Sequence, residues 1–252
     1  MRLTALLPLC LVPLAACAAT PRQQQVALKD ESQPFSAPRT IPTAYESAVL
    51  ARRILALTPL AVFSSNFPST SHPHEHRPEG LAGVSIGLVD YVADCEDNGS
   101  PTILAVSIGT TFRNAAAGSN VSLAFQWTPL YPPSKRMGSV SSHPVALPYS
   151  AANLPRFSLI GHLETIPEDV VESQDIVKCY TAVHPDAKYW LPGGGVHHAE
   201  WARLVVDEIY FVGGFGDRAY IGWIDVEDWK KVTPEEWQSV ELPGEKKGWK
   251  EW

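Results

Sequence analysis

Residues 184–223 read HPDAKYWLPGGGVHHAEWARLVVDEIYFVGGFGDRAYIGW. A helical pattern stops at His184-Pro185, a glycine loop follows at Gly193-Gly194-Gly195, and two strand-like runs come next, residues 201–212 and 218–224. In the first run Leu204, Val206, Glu208, Tyr210 and Val212 fall on one face, and Arg203, Val205, Asp207, Ile209 and Phe211 on the other. Period-two spacing rich in β-branched and aromatic residues is the signature of a strand. The Gly213-Gly214-Phe215-Gly216 turn permits a tight corner, so the second run is expected to fold back antiparallel on the first and close a barrel.

Everything upstream has to pack on that pair. Thr43 with Glu46 three residues on forms a capping box, and Leu50, Ile54 and Leu57 mark an apolar stripe that ends at Pro59, which predicts a helix. Strands are expected over residues 60–63, 83–93, 102–108, 121–127 and 157–165. The turn-rich Asp94-Cys95-Glu96-Asp97-Asn98-Gly99-Ser100 should join the second and third of these as a hairpin. Helices are expected over 110–117 and 167–183, the latter with Glu168 and Asp169 in its first turn. Many short strands without regular βαβ alternation predict a mainly β fold, an antiparallel barrel with flanking helices.

The ends of the chain read differently. Arg2 is a positive n-region, residues 3–14 are an apolar stretch too short to span a bilayer, and Ala16-Cys17-Ala18 is a small-residue cleavage site. Residues 1–19 are therefore expected to be a signal peptide of an exported protein. The alternative is a bacterial lipoprotein signal, Leu14-Ala15-Ala16-Cys17, anchoring the chain through a lipid on Cys17. The sequons Asn98-Gly99-Ser100 and Asn120-Val121-Ser122 favour the eukaryotic version and are candidate glycosylation sites. Cleavage would leave Cys95 and Cys179, either as one disulfide in an oxidising compartment or as two buried thiols. Residues 20–42 are polar and proline-bearing, a flexible arm or pro-segment; residues 43–232 form the domain, and 233–252 a tail with Trp237, Trp249 and Trp252. Net charge is −7 over 252 residues and the basic residues are scattered, so nucleic acid is not an expected partner.

Motifs that mimic chemistry have plainer readings. Gly83-Val84-Ser85-Ile86-Gly87 matches the G-x-S-x-G nucleophile elbow, but it runs on into more strand where an elbow turns into a helix. His72, His74 and His76 alternate in a loop bounded by Ser71 and Pro78, with nothing to fix the rings for a metal. Gly193-Gly194-Gly195 lacks the lysine and helix of a phosphate loop. The proline-rich stretch 128–155 is an exposed excursion, a lid or a contact surface.

Several stretches together carry a resemblance. They are Thr110-Thr111-Phe112-Arg113-Asn114; Asn120-Val121-Ser122-Leu123 and Trp127; Arg156-Phe157-Ser158-Leu159-Ile160-Gly161-His162-Leu163; the helix ending His184-Pro185; Trp190; and His197 six residues before Arg203. Over residues 44–229 the chain resembles the CREG-like glycoproteins, the secreted branch of the pyridoxamine 5'-phosphate oxidase-like, FMN-binding split-barrel superfamily. The resemblance implies a six-stranded split barrel, a homodimer, and, in the enzymes, FMN at the subunit interface. Thr110, Thr111 and Arg113 occupy the turn where the family's phosphate-binding hydroxyls and base lie; as ordinary residues they would be helix caps and a surface charge. The strand at 83–93 has no basic residue where the enzymes carry an arginine, and the CREG-like branch lacks the flavin. The Gly-Gly-Phe-Gly turn is similar to one in haem-handling split barrels, and the paired His197-His198 beside the glycine loop, with His197 foremost, are candidate haem or flavin ligands; as ordinary residues they would be hydrogen-bonding histidines. The expectation is a secreted binding glycoprotein without cofactor or redox catalysis, its macromolecular or small-molecule ligand unknown. The alternative is an FMN- or haem-dependent oxidoreductase using Thr110, Thr111, Arg113 and His197.

Overall fold

A computed structural model of the chain describes residues 40–70, 75–133, 150–195 and 197–249. The chain divides into Met1–Pro38 and Arg39–Trp252, and the second unit holds every strand and helix named below. The expected signal peptide with Cys17, His72, His74, Trp252 and most of the proline-rich excursion lie outside the described residues.

The organising strand is the one the sequence announces. It runs from Ala199 to Val212, β6 in a set of seven among the described residues: β1 (Leu60–Asn66), β2 (Ser85–Tyr91), β3 (Thr102–Val106), β4 (Val121–Gln126), β5 (Arg156–Thr165), β6 (Ala199–Val212) and β7 (Ile221–Ile224). One antiparallel sheet has the order β2-β1-β4-β5-β6-β3, with β7 also on β6. β3 pairs with β6 at residues 199–203 and β7 at 209–212, so the two short strands share one edge of β6 and the curled sheet is split there. This is a mainly β, split-barrel architecture, with the seven strands of the periodicity reading and not the six implied by resemblance.

The faces of β6 are not those expected. Leu204 and Val206 are buried, but so are Ile209 and Phe211, while Glu208 and Tyr210 are exposed. The pairing explains the inversion: Ile160 lies opposite Glu208 and Gly161 opposite Val206, so Asp207 is an extra residue in β6. Such a bulge moves every later side chain to the other face. Gly161 makes it possible, because a Cβ there would lie 1.9 Å from the Val205 carbonyl oxygen.

Two further expectations are corrected. Residues 83–93 and 102–108 do not form a hairpin: β2 pairs with β1, β3 with β6, and a single bridge, Ala93 to Thr102, joins them. The intervening turn is pinned to a helix instead of closing a ladder. Arg52 Nη2 donates to Asp94 Oδ2 (3.0 Å) and to the Asp97 carbonyl (2.8 Å), and Gly99 N–H donates to Asp94 Oδ1 (3.2 Å). The helix expected over 167–183 is two, α3 (Glu168–Ser173) and α4 (Ile176–Val183), broken where Asp175 takes a left-handed φ of 51°.

Other helices are α1 (Ala44–Leu57), α2 (Thr110–Ala116), α5 (Val226–Lys231) and α6 (Pro234–Ser239). α1 has the expected capping box, with Glu46 N–H donating to Thr43 Oγ1 (3.2 Å) and Thr43 N–H to Glu46 Oε2 (2.7 Å). Its buried face comprises Ala48, Ala51, Arg52, Ile54 and Leu55, whereas Leu57, expected in the stripe, is 40 % exposed. The main core lies between α1, α5 and the concave side of the sheet, around Phe63, Leu123, Phe125, Leu159, Phe211 and Trp229. A smaller core under α3 and α4 holds Leu104, Ile176, Tyr180 and Trp201. Cys95 and Cys179 form a disulfide beside it, Cα–Cα 5.8 Å, tying the 94–100 turn to α4. The C-terminal residues also join the main core: Leu242 is buried and Trp127 Nε1–H donates to the Pro243 carbonyl (2.6 Å).

Candidate functional site

A cleft of about 400 Å³ opens between α2 and the strands β3, β5 and β6. Its polar lining is Arg113 from α2, His162, Glu164 and Thr165 from β5, Ser107 and Ser119 from adjoining turns, and His198 and Glu200 at the start of β6; Phe112 and Leu163 supply apolar wall. The N-cap of α2 is Gly109, which has no side chain to cap it, and one turn later Arg113 lines the cleft, half-buried. Strand alternation sets His162 and Glu164 on one face of β5.

Of the residues singled out by sequence, Arg113 and His198 line this cleft. Thr110 is beside it, its Oγ1 accepting from Arg113 Nη2 at 3.5 Å. Thr111 is 4 % exposed and packed inside, so its hydroxyl is unavailable to a ligand. His197 is exposed and off the cleft, and its neighbour His198 is the one that lines it. His162, Glu164 and Glu200 were not singled out as site residues; His162 stands in the Arg156–Leu163 stretch of the resemblance, but its place in a cleft follows from strand register.

The charges are mixed. His162 Nδ1 lies 3.2 Å from Asp207 Oδ2, the bulged residue, and His198 Nδ1 lies 3.9 Å from Glu200 Oε1. Arg203 stands between Glu96 (3.2 Å) and Glu164 (3.9 Å). Burial pushes the Glu96 carboxyl above its ordinary range, against the pull of Arg203. His162 is paired with Val205, and His198 stands seven positions before Val205, just ahead of β6. At ~3.3 Å per residue the two histidines are about 23 Å apart along the ladder, so they bracket the cleft and cannot share one ion. Among the described residues no three His, Cys, Asp or Glu side chains converge to hold a metal.

The fit to a flavin follows from this donor set. A phosphate dianion needs several basic groups or backbone donors converging on it. Here one guanidinium faces two carboxylates, Glu164 and Glu200, one hydroxyl of the turn is buried, and β2 (SIGLVDY) has no basic residue. These residues do not fit the phosphate of FMN. The elbow motif is equally inert: Ser85 opens β2 and donates its hydroxyl to Asn66 Oδ1 (2.6 Å), with no helix following.

A second feature is the open face of the sheet. A groove of about 460 Å³ runs over Leu60, Val62, Val89, Ser158, Tyr210 and Val212. Val89 is 64 % and Trp223 57 % exposed, and Val62, Leu60, Tyr210 and Ile221 are also exposed; on this face the apolar residues of β2 and β1 are joined to those of β6 and β7 through Ala124 of β4 and Ser158 of β5. Patches of this kind mark interaction sites. Among the described residues no helix is long and apolar enough to cross a membrane.

Residues 42–231 match the sequence model of the family described as CREG, beta-barrel. No curated protein matches the chain. Among solved structures the fold is similar to a heme binding protein from Mycobacterium smegmatis, with TM-score 0.50 and 18 % identity over 76 % of this chain and 61 % of that one. The chain therefore spans about three fifths of the length of that mycobacterial protein. A protein of unknown function from Agrobacterium tumefaciens matches with TM-score 0.46 and 19 % identity, over 80 % of this chain and 64 % of that one. A protein of the pyridoxinephosphate oxidase family from Clostridium acetobutylicum matches with TM-score 0.37 and 7 % identity, over 67 % of this chain and 89 % of that one.

Proposed function

We propose, from the premise that this chain belongs to the CREG β-barrel family, that it is an exported, glycosylated binding protein that acts without redox catalysis, as a homodimer. The observation that carries the non-redox part is the cleft's charge, a single guanidinium, Arg113, set against Glu164 and Glu200. The paired Cys95 and Cys179 support an oxidising compartment. The signal-like residues 1–19 and the sequons at Asn98 and Asn120 support export; a lipid on Cys17 in a bacterial host is the alternative route. Absorbance of the purified protein tests the reading. The expected spectrum is featureless in the visible, with added FMN lost on desalting. A flavin band pair that survives desalting and vanishes in Arg113→Ala would overturn it.

A second reading, a haem-binding split barrel, is favoured by one feature. Asp207 Oδ2 lies 3.2 Å from Nδ1 of His162, a cleft-lining residue; with the proton on Nδ1, Nε2 would be an acceptor, the arrangement found in metal-bound histidines. A Soret band on adding hemin, abolished by His162→Ala and retained by His197→Ala, would establish it.

The homodimer reading rests on the open sheet face. Val62 and Val89 are cross-strand partners on it. Replacing both with aspartate places like charges side by side in the interface while leaving the core intact. The variant is expected to elute as a monomer, by size exclusion with light scattering, where the wild type is a dimer at micromolar concentration. A monomeric wild type would remove the proposal.

A further inference from the structure

We propose that Asn120 carries an N-linked glycan whose first N-acetylglucosamine lies in a groove on the protein's own surface. The inference rests on the reading of the chain as exported. Asn120 precedes β4, is exposed, and lines a groove of about 320 Å³ together with Asn66, Phe67, Pro68, Asn114 and Ser119. That volume is at the small end of ligand sites, suited to one sugar ring.

The chemistry of the walls suits an N-acetylated pyranose. Phe67 and Pro68 give apolar surface for the ring's C–H face. Asn66 Oδ1 is taken by the Ser85 hydroxyl (2.6 Å), which leaves its amide N–H groups as donors. Asn114 is 3 % exposed and its Nδ2 donates to Ser65 Oγ (3.1 Å), so it forms the fixed floor of the groove. The groove is held in shape by Ser119, whose Oγ accepts from Asn66 N–H (2.8 Å) and donates to the Asn120 carbonyl (2.7 Å). The base of the sugar would thus be fixed by a covalent bond on one side and preorganised walls on the other.

Asn98, the other sequon, has a different setting. Its Oδ1 accepts from Ser100 N–H (2.8 Å) within a turn whose next residue, Gly99, is packed so closely that a Cβ would lie 2.5 Å from Trp229 Nε1. A glycan there would extend from a turn and not lie in a groove.

The test uses the full chain secreted from a eukaryotic host. Peptide mapping after enzymatic deglycosylation is expected to show Asn120 converted to Asp. Trimming the glycan to its single linked N-acetylglucosamine should leave the melting temperature unchanged, whereas Asn120→Gln should lower it by several degrees. Phe67→Ala should lower the melting temperature of the glycosylated protein more than it lowers that of Asn120→Gln. A modified Asn98 beside an unmodified Asn120 would overturn the proposal and leave export standing. Two unmodified sequons on the secreted protein would overturn both the proposal and the glycoprotein reading. A trimmed protein that melts with Asn120→Gln, or equal Phe67→Ala effects in the two backgrounds, would overturn the seating of the sugar.

Discussion

Gly161→Ala is expected to destabilise the protein by roughly 4 kcal/mol or more, the exceptional end of single substitutions. The new methyl group would lie 1.9 Å from the Val205 carbonyl oxygen and 3.0 Å from its carbon, and these are backbone atoms of a paired strand that no rotamer change can move aside. Relief requires β5 and β6 to separate at the bulge, which breaks the longest ladder in the sheet. The consequences extend beyond the clash. The extra residue, Asp207, is what turns Ile209 and Phe211 into the core and sets its own carboxylate against His162. A variant that escaped by shifting register would expose both apolar residues and lose the His162 contact. Thermal melts and near-ultraviolet circular dichroism check this. A variant with the wild-type melting temperature and spectrum would show that the bulge is not constrained by Gly161.

The bulge also shows where sequence reading stops. That residues 201–212 are a strand paired with its successor is legible from spacing, because period two sustained over twelve residues suits a half-buried strand and not a helix. Which face is buried is not, since the parity of β6 is inverted by a glycine on a different strand, 46 positions away. The misplaced hairpin has a similar cause. Asp94 to Ser100 has turn composition, but what the turn does depends on Arg52 of α1, which counts as a polar position in any amphipathic reading of that helix. Asp175 breaks the predicted long helix through its backbone conformation alone, with favourable residues on both sides.

The cleft repeats the pattern at the level of function. Arg113 is legible because it stands in a short segment whose helix and preceding turn are local in sequence. Thr111 stands in the same segment, yet the helix turns its side chain inward. His162, Glu164, His198 and Glu200 come together through the β5–β6 register and the split at β3, relations between residues tens of positions apart. The carboxylates offset the Arg113 charge in the cleft, which adds to the missing arginine of β2 in disfavouring a flavin phosphate.

Arg52→Met is the second substitution with a large expected effect, about 3–5 kcal/mol, the cost of leaving one member of a buried ion pair without its partner. Arg52 is 0 % exposed and Asp94 5 %. Nη1 reaches the carbonyls of Trp229 and Val232 at 3.4 Å each, and the guanidinium lies 5.4 Å from the Trp229 ring, whose Nε1–H donates to the Gly99 carbonyl (3.0 Å). One side chain therefore joins α1, α5 and the 94–100 turn, and the disulfide ties Cys95, next to Asp94, to α4. At ~2–4 °C per kcal/mol for a domain of this size, the melting temperature should fall by about 6–20 °C at neutral pH. Burial already pushes the Asp94 carboxyl above its ordinary range, against the opposing pull of Arg52. Removing that pull raises it further, and a carboxyl raised in the folded state costs stability when ionised and ceases to do so as pH falls and it takes a proton. The deficit of Arg52→Met should accordingly shrink towards pH 4, and Asp94→Leu added to it should restore part of the loss at pH 7. Additive losses in the double variant, or a deficit that grows on acidification, would mean that the pair contributes nothing as a pair and that the turn is held by Trp229 and the disulfide alone.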